Sequence, residues 1–409
     1  MKTTKAIALI ATISCAGLAS AELIDRAPGL PIGSRMTLRP YVSLSYTYDT
    51  NVDSDKTEEN GSSWIVAPAF DLDYNSENWN AIARVWYQYH AYNGYSDQLN
   101  TSSYGQSLDI DWKKLDAQGK GWMLTLSERF VSISQDDDMT SYNGRGLGRD
   151  RMIVQTDAML AHNFTDKFHM AVNAGYYMLD YDNDMYRYGP LYGWERASVG
   201  GQIGYTLSKW TDLLFGASYQ WYWHDNVEVG MGDVPDTSNG WTVSAGIGSQ
   251  ISEKIKYRAL LGWSRYESSR MISTRDNAVY SLSAQWTITD TLKFMLLGSS
   301  FYHPSEVDYA SSTFSSTLSA GLAKSFVRGK ITGTVDLAYR HEENESANPN
   351  SNWNFDEDIL ISRIGLNYRV NRFVSAFGRI EYQLSDSTDN EGWYDYDRWR
   401  ATFGMRFSY

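Results

Sequence analysis

WRATFGMRFSY, residues 399–409, carries an apolar or aromatic side chain at every second position: Trp399, Ala401, Phe403, Met405, Phe407 and Tyr409. Successive side chains of an extended strand point to opposite faces, so these six share one face, and Arg400, Thr402 and Arg406 occupy the other. A ribbon greasy on one side and charged on the other needs two different surroundings. The same two-residue period runs through most of the chain upstream.

From Arg35 onward the sequence repeats an alternating strand, a short turn, a second alternating strand and a longer polar loop. Eighteen such strands are predicted, with sixteen as the alternative count. The first covers 36–49, with Leu38, Val42, Leu44, Tyr46 and Tyr48 on one face. The second covers 63–74, with Trp64, Val66, Phe70, Leu72 and Tyr74 on one face. The rest fall near 79–92, 103–114, 121–134, 151–164, 168–180, 195–207, 212–224, 240–251, 255–266, 277–288, 292–302, 312–326, 330–341, 358–370, 373–384 and 396–409. Each is long enough for the 9–11 residues of a tilted transmembrane strand, and alternation sustained this far is the pattern of a membrane β-barrel. The fold class is therefore all-β: a transmembrane antiparallel up-and-down barrel. Tight turns at 75–78, 165–167, 252–254, 289–291, 327–329 and 371–372 alternate with long loops such as 50–62, 135–150, 181–194, 225–239 and 342–357. Short turns face the periplasm in this class and long loops face outward.

Composition excludes the neighbouring classes. Mean hydropathy is −0.45, and no stretch of 18 apolar residues exists to form a membrane helix. Aromatics nevertheless make up 14% of the chain, with 15 Trp and 30 Tyr, an excess that fits two girdles at membrane–water interfaces. The net charge of −13 is a poor footprint for nucleic acid, which needs a basic face. A soluble propeller would repeat a blade motif, and a sandwich of this length would break into domains.

The N-terminus reads as a secretory signal over residues 1–21. Lys2 and Lys5 precede an apolar run at 6–13, and Ala19-Ser20-Ala21 is a small-x-small cleavage site. Residues 22–35 form a periplasmic segment, and 36–409 a single barrel. The one cysteine, Cys15, lies within the signal, so the processed chain is expected to have no thiol for a disulfide or a metal.

If the apolar faces meet lipid, the opposite faces enclose a bore. Alternate positions assign to it Arg39, Asp71, Asp73, Arg84, Trp86, Asp109, Asp111, Arg129, Tyr177, Tyr222, Lys256, Arg258, Lys293, Arg340, Arg379 and Arg406. At sixteen to eighteen strands side chains cannot fill the middle, so water is expected there. These charges either set the selectivity of a diffusion pore or brace its wall as ion-pair ladders. The inward aromatics Tyr41, Trp86, Tyr177, Tyr222, Tyr266 and Phe301 offer a stacking track for sugar rings.

Other motifs are weaker. Asp49, Asn51, Asp53 and Asp55 space oxygen ligands as a calcium loop does, but Ser54 replaces the required glycine and Asn60 the closing glutamate. Asp136-Asp137-Asp138 reads as a solvated loop. Six histidines occur without HExxH spacing, and there is no GxSxG elbow. His224-Asp225 is an adjacent pair whose side chains diverge. Gly144, Gly146 and Gly148 lie in a loop without strand–helix context. No enzymatic activity, cofactor or metal is expected. A serine-rich outward face at 312–320 is a faint sign of a subunit contact, and the oligomeric state is left open.

Two segments carry family resemblances. The closing strand resembles that of bacterial outer-membrane β-barrels, where such an ending is read by the barrel-assembly machinery; Phe403, Met405, Phe407 and Tyr409 are the residues concerned. RPYVSLSYTYDTNV, residues 39–52, resembles the opening strand of the putative β-barrel porin 2 group, in which a Pro-bearing strand leads into a Tyr-Asp-x-Asn-Val corner. The resemblance implies a porin-like barrel in the outer membrane of a Gram-negative-type cell, in contact with lipid and lipopolysaccharide. The constriction-loop motif of general trimeric porins is missing, and Glu22–Ser34 is too short for the plug of a TonB-dependent transporter. The expected function is passive diffusion of small hydrophilic solutes, saccharides included. The rival is a non-conducting accessory barrel of a secretion or exopolysaccharide-export assembly.

Overall fold

The computed structural model describes residues 28–51, 60–93, 101–116, 120–133, 151–181, 193–208, 210–224, 237–252, 254–268, 274–304, 310–346, 354–388 and 395–409. The signal at 1–21, Asp136–Asp138, the Gly144–Gly148 motif and Asp225 lie outside them. Within them every regular element is a strand: β1 (Leu30–Ile32), β2 (Met36–Asp49), β3 (Gly61–Asn75), β4 (Trp79–Asn93), β5 (Thr101–Leu115), β6 (Gly121–Ile133), β7 (Arg151–Asn163), β8 (Phe168–Tyr181), β9 (Trp194–Ser208), β10 (Thr211–His224), β11 (Thr237–Ser252), β12 (Ile255–Ser268), β13 (Arg275–Thr289), β14 (Leu292–Pro304), β15 (Ala310–Phe326), β16 (Ile331–Ser346), β17 (Phe355–Arg369), β18 (Val374–Ser387) and β19 (Tyr396–Ser408).

Each strand from β2 to β19 pairs antiparallel with its sequence neighbours, and β19 returns to β2 from Arg400↔Asp49 to Ser408↔Tyr41. The result is a closed meander of 18 strands. Closure matters because hydrocarbon offers no hydrogen bonds, so each strand must find both its neighbours inside the protein. The eighteen-strand reading holds, with one addition. Within the 22–35 segment, the short β1 pairs with the start of β2, Leu30↔Leu38 to Ile32↔Met36.

One end of the barrel is made of tight turns held by their own side chains. Asn371 Oδ1 accepts from the Phe373 and Val374 N–H groups, and Thr165 Oγ1 accepts from those of Lys167 and Phe168. These are local Asx- and Ser/Thr-type closures. The β15–β16 turn places Val327, Arg328 and Gly329 at positive φ (50°, 54° and 82°). A left-handed backbone is ordinary for the glycine and costly for the β-branched Val327.

The alternation seen in the sequence becomes an outer belt. Trp79, Trp122, Phe164, Phe168, Trp210 and Trp286 are exposed toward the turn end, and Tyr48, Trp64, Tyr89, Trp221, Trp223 and Trp263 toward the loop end. Leu, Val and Ile lie between, including Val335, Leu337, Ile364 and Leu366. The serine-rich stretch departs from its expected outward placement. Ser312, Thr313, Phe314 and Ser315 are all buried, because this strand end leaves the wall as described below, so only its turn-ward part faces outward.

Because Ile364 (61% exposed) sits mid-belt, Ile364→Arg should cost about 2–4 kcal/mol of stability in lipid vesicles. Asn367→Arg, on the opposite face of the same strand, should cost far less. Urea titration of tryptophan fluorescence in vesicles compares the two, and equal costs would contradict the assignment of faces.

Candidate functional site

The inner face of the barrel gathers the polar half of every strand. All sixteen sequence-assigned positions lie on this face, but in three different settings. Asp109, Asp111, Lys256, Arg379 and Arg406 are exposed, all in the turn-end half. Arg39, Asp73, Arg84, Trp86, Arg129, Arg258, Lys293 and Arg340 are half-buried, and Asp71 is buried. Tyr177 and Tyr222 are buried inside an aromatic cluster.

Several of these charges are paired along the wall. Arg84 grips Asp71 with two hydrogen bonds of 2.7 and 3.1 Å across β3 and β4, and Arg39 pairs with Asp73 across β2 and β3. Arg363 pairs with Glu381 across β17 and β18, and Arg340 lies 3.5 Å from Glu342. Asp109 accepts from Ser127 Oγ at 2.6 Å, and Asp111 from Thr125 Oγ1 at 3.1 Å. Arg258 donates to Gln202. The Arg406 guanidinium stands 5.0 Å over the Tyr41 ring. The Trp86 indole lies over Gly105, where a Cβ would meet the ring at 2.8 Å. Glycine there lets a large ring lie close to the wall.

The strongest part of this pairing crosses the β19–β2 seam and was not singled out from the sequence. Asp49 receives Arg398 at 2.8 and 2.5 Å and Arg400 at 3.1 Å. Arg400 lies 4.0 Å from Glu381, and Thr47 and Thr402 bond at 3.0 Å beside the group. The Asp49–Asp55 calcium-loop spacing is thereby corrected at its first member: the Asp49 carboxylate is already engaged by two guanidinium groups. Asp53 and Asp55 lie outside the described residues, as does the side chain of His224.

The loop-end half of the lumen is filled. Its inner face is buried nearly all round, including Asp49, His90, Ser103, Ile133, Tyr181, Glu342, Glu357 and Ser385. On one side the filling can be traced. The β13–β14 ladder stops at Ser281↔Ser299, while β14 continues with β15 to Pro304↔Ser312. Beyond the split, the β14–β15 end crosses the lumen. The Tyr222 hydroxyl of β10 donates to the Tyr302 carbonyl at 3.0 Å, and the Trp194 ring of β9 stacks 6.0 Å from His303. With neighbouring strands about 4.8 Å apart, β9 and β14 are separated by about 24 Å of wall. Only a strand end bent inward brings them together.

Tyr302 and Phe314 have lipid-facing parity, yet they pack inside the barrel. Tyr302 lies 5.7 Å from Tyr266 and 4.9 Å from Phe314, and Tyr266 lies 5.5 Å from Tyr222. Tyr177 joins through Trp194 at 4.7 Å. Tyr222 and Tyr266 are 1% and 0% exposed, and their two rings meet edge to face. Of the expected sugar-stacking positions, Tyr177, Tyr222 and Tyr266 are therefore drawn into one packed cluster. Phe301 stands 5.7 Å from His303 beside it, and Trp86 and Tyr41 lie apart on the far wall.

Because Asp49 is buried against two guanidinium groups, Asp49→Asn leaves both cations facing an amide. Losing a buried partner in this way costs about 3–5 kcal/mol. The urea midpoint of the refolded barrel should fall accordingly. An unchanged midpoint would show that the seam does not depend on this group.

With this geometry in view, the chain can be set beside known proteins. The model of the family described as putative beta-barrel porin 2 matches residues 26–409. The chain belongs to that family, a group of outer-membrane β-barrels. No curated protein sequence matches it. Among solved structures it is similar to the FrpB iron transporter from Neisseria meningitidis (F3-3 variant), with 11% identity over 88% of this chain and 64% of that one, and a TM-score of 0.45. It is also similar to the siderophore receptor PirA from Pseudomonas aeruginosa, with 9% identity over 93% and 81% and a TM-score of 0.44. The chain thus spans less than two thirds of the transporter's length, and identities this low say nothing about substrate.

Proposed function

We propose that this family member is a passive channel for small hydrophilic solutes, saccharides among them, with short turns in the periplasm and long loops at the cell surface. The observation that carries the reading is the exposed lumenal charge of the turn-end half. Asp109, Asp111, Lys256, Arg379 and Arg406 face the bore, and charges buried without water would cost several kcal/mol each. Eighteen strands enclose more space than side chains fill. Water in that half is therefore the simplest account of its chemistry, and a solute enters where water does. Trp86, flat over Gly105, is the surface left for sugar stacking while Tyr177 and Tyr222 are packed away.

The infolded β14–β15 end favours one refinement and one rival. As a refinement it is the narrow part of the path, so flux depends on the aromatic cluster. As a rival it is a permanent stopper, and the barrel is then a non-conducting accessory of a secretion or polysaccharide-export assembly. Single-channel recording in planar bilayers separates them. The channel reading expects resolved conductance steps, enlarged at least about twofold in Tyr266→Ala, where a cavity replaces a buried ring. Electrical silence in both proteins supports the accessory barrel. Trp86→Ala tests the saccharide part separately: sugar-induced blockade should weaken, and an unaltered blockade removes sugars from the proposal.

A further inference from the structure

The chain carries a net charge of −13, yet the wall facing its bore is not acidic. From β11 to β15 the lumenal positions hold Lys256, Arg258, Arg275 and Lys293, and no Asp or Glu occurs among the described lumenal residues of these five strands. The acidic side chains of this stretch, such as Asp276 and Glu267, have outward parity, and Asp276 is taken by Arg265 at the outer rim.

Lumenal carboxylates stand elsewhere round the bore: Asp212 on β10 and Asp336 on β16 flank this stretch, and a further group lies on the opposite wall. In a barrel of 18 strands, β5 stands nine strands from β14 and so faces it across the bore. There Asp71 is gripped by Arg84, Asp73 pairs with Arg39 on β2, and Asp109 and Asp111 each take a hydroxyl hydrogen bond from β6. Neighbouring cations or donors thus offset much of that opposite wall, while the described lumenal residues of β12 to β14 carry cations and no carboxylate.

Resting on the channel reading above, we infer that the bore prefers anions, and that its solutes are small molecules bearing a carboxylate or phosphate group drawn along the β12–β14 wall. Rings of Lys and Arg favour anions in pores, and low-dielectric walls focus such a field into the lumen. The acidity of the whole chain predicts the opposite preference, so the two accounts differ in sign.

Reversal potentials of the reconstituted full-length barrel across a potassium chloride gradient decide the matter. Wild type should show a chloride-to-potassium permeability ratio above about 2. Lys256→Glu should bring the ratio down toward or below unity. Lys256→Gln, a milder change at an exposed position, should lower it part of the way. Heat-dependent gel mobility confirms that each variant folds. Conducting channels with a ratio at or below unity overturn the anion preference and leave the channel intact. A ratio above 2 that neither variant moves overturns the role of this wall. Absence of conductance overturns the channel reading itself.

Discussion

Every feature of this molecule follows from one constraint: inside hydrocarbon a backbone N–H or C=O has no partner but another backbone group. A sheet satisfies that condition only when it has no edge. Closure between β19 and β2 removes the last one, down to the Tyr409 N–H donating to the Pro40 carbonyl at 3.1 Å. Where the ladder is interrupted, the cause is local. Pro68 carries no N–H, and the β3–β4 ladder skips two pairs between Val66↔Tyr89 and Ala69↔Trp86 while keeping its register. Once the sheet is closed, strand alternation sorts the side chains into a lipid belt and a lumen without further instruction.

The seam shows how the lumen contributes to stability as well as to transport. Backbone pairing gives β19 and β2 a register, and Asp49 with Arg398 and Arg400 anchors it on the inner face. These groups are buried, so their desolvation is repaid only because three side chains converge with good geometry. Farther toward the turn end, comparable charges remain exposed to the bore. The same residue types therefore act as braces in one half and are exposed on the inner face in the other.

The parity of the wall was legible because lipid and water sort side chains with a period of two, and residues such as Trp64, Val335, Ile364 and Phe403 carry that period plainly. Tight turns were legible from Asn371, Thr165 and Gly329. Three things were not. β1 is too short to show alternation. The seam network joins residues 349 positions apart, Asp49 and Arg398, and no local pattern records such a contact. The infolded β14–β15 end escaped because Tyr302 and Phe314 keep the outward parity of their strands. An aromatic that meets lipid and one that meets a lumenal cluster of tyrosines look alike in sequence. For the same reason Tyr177, Tyr222 and Tyr266 read as a track of separate rings, although they close on one another.

The central claim is that alternate residues of one strand meet hydrocarbon and water. Cys15 is the sole cysteine of the chain, so with Cys15 also replaced, single cysteines at successive positions 360–367 of β17 provide unique fluorophore sites. Quenching of the barrel in lipid vesicles by a bilayer-soluble and by a water-soluble agent reports each site's surroundings. The account predicts that 360, 362, 364 and 366 respond to the bilayer agent, and 361, 363, 365 and 367 to the aqueous one. Uniform quenching along the strand, or the reverse phase, would contradict it.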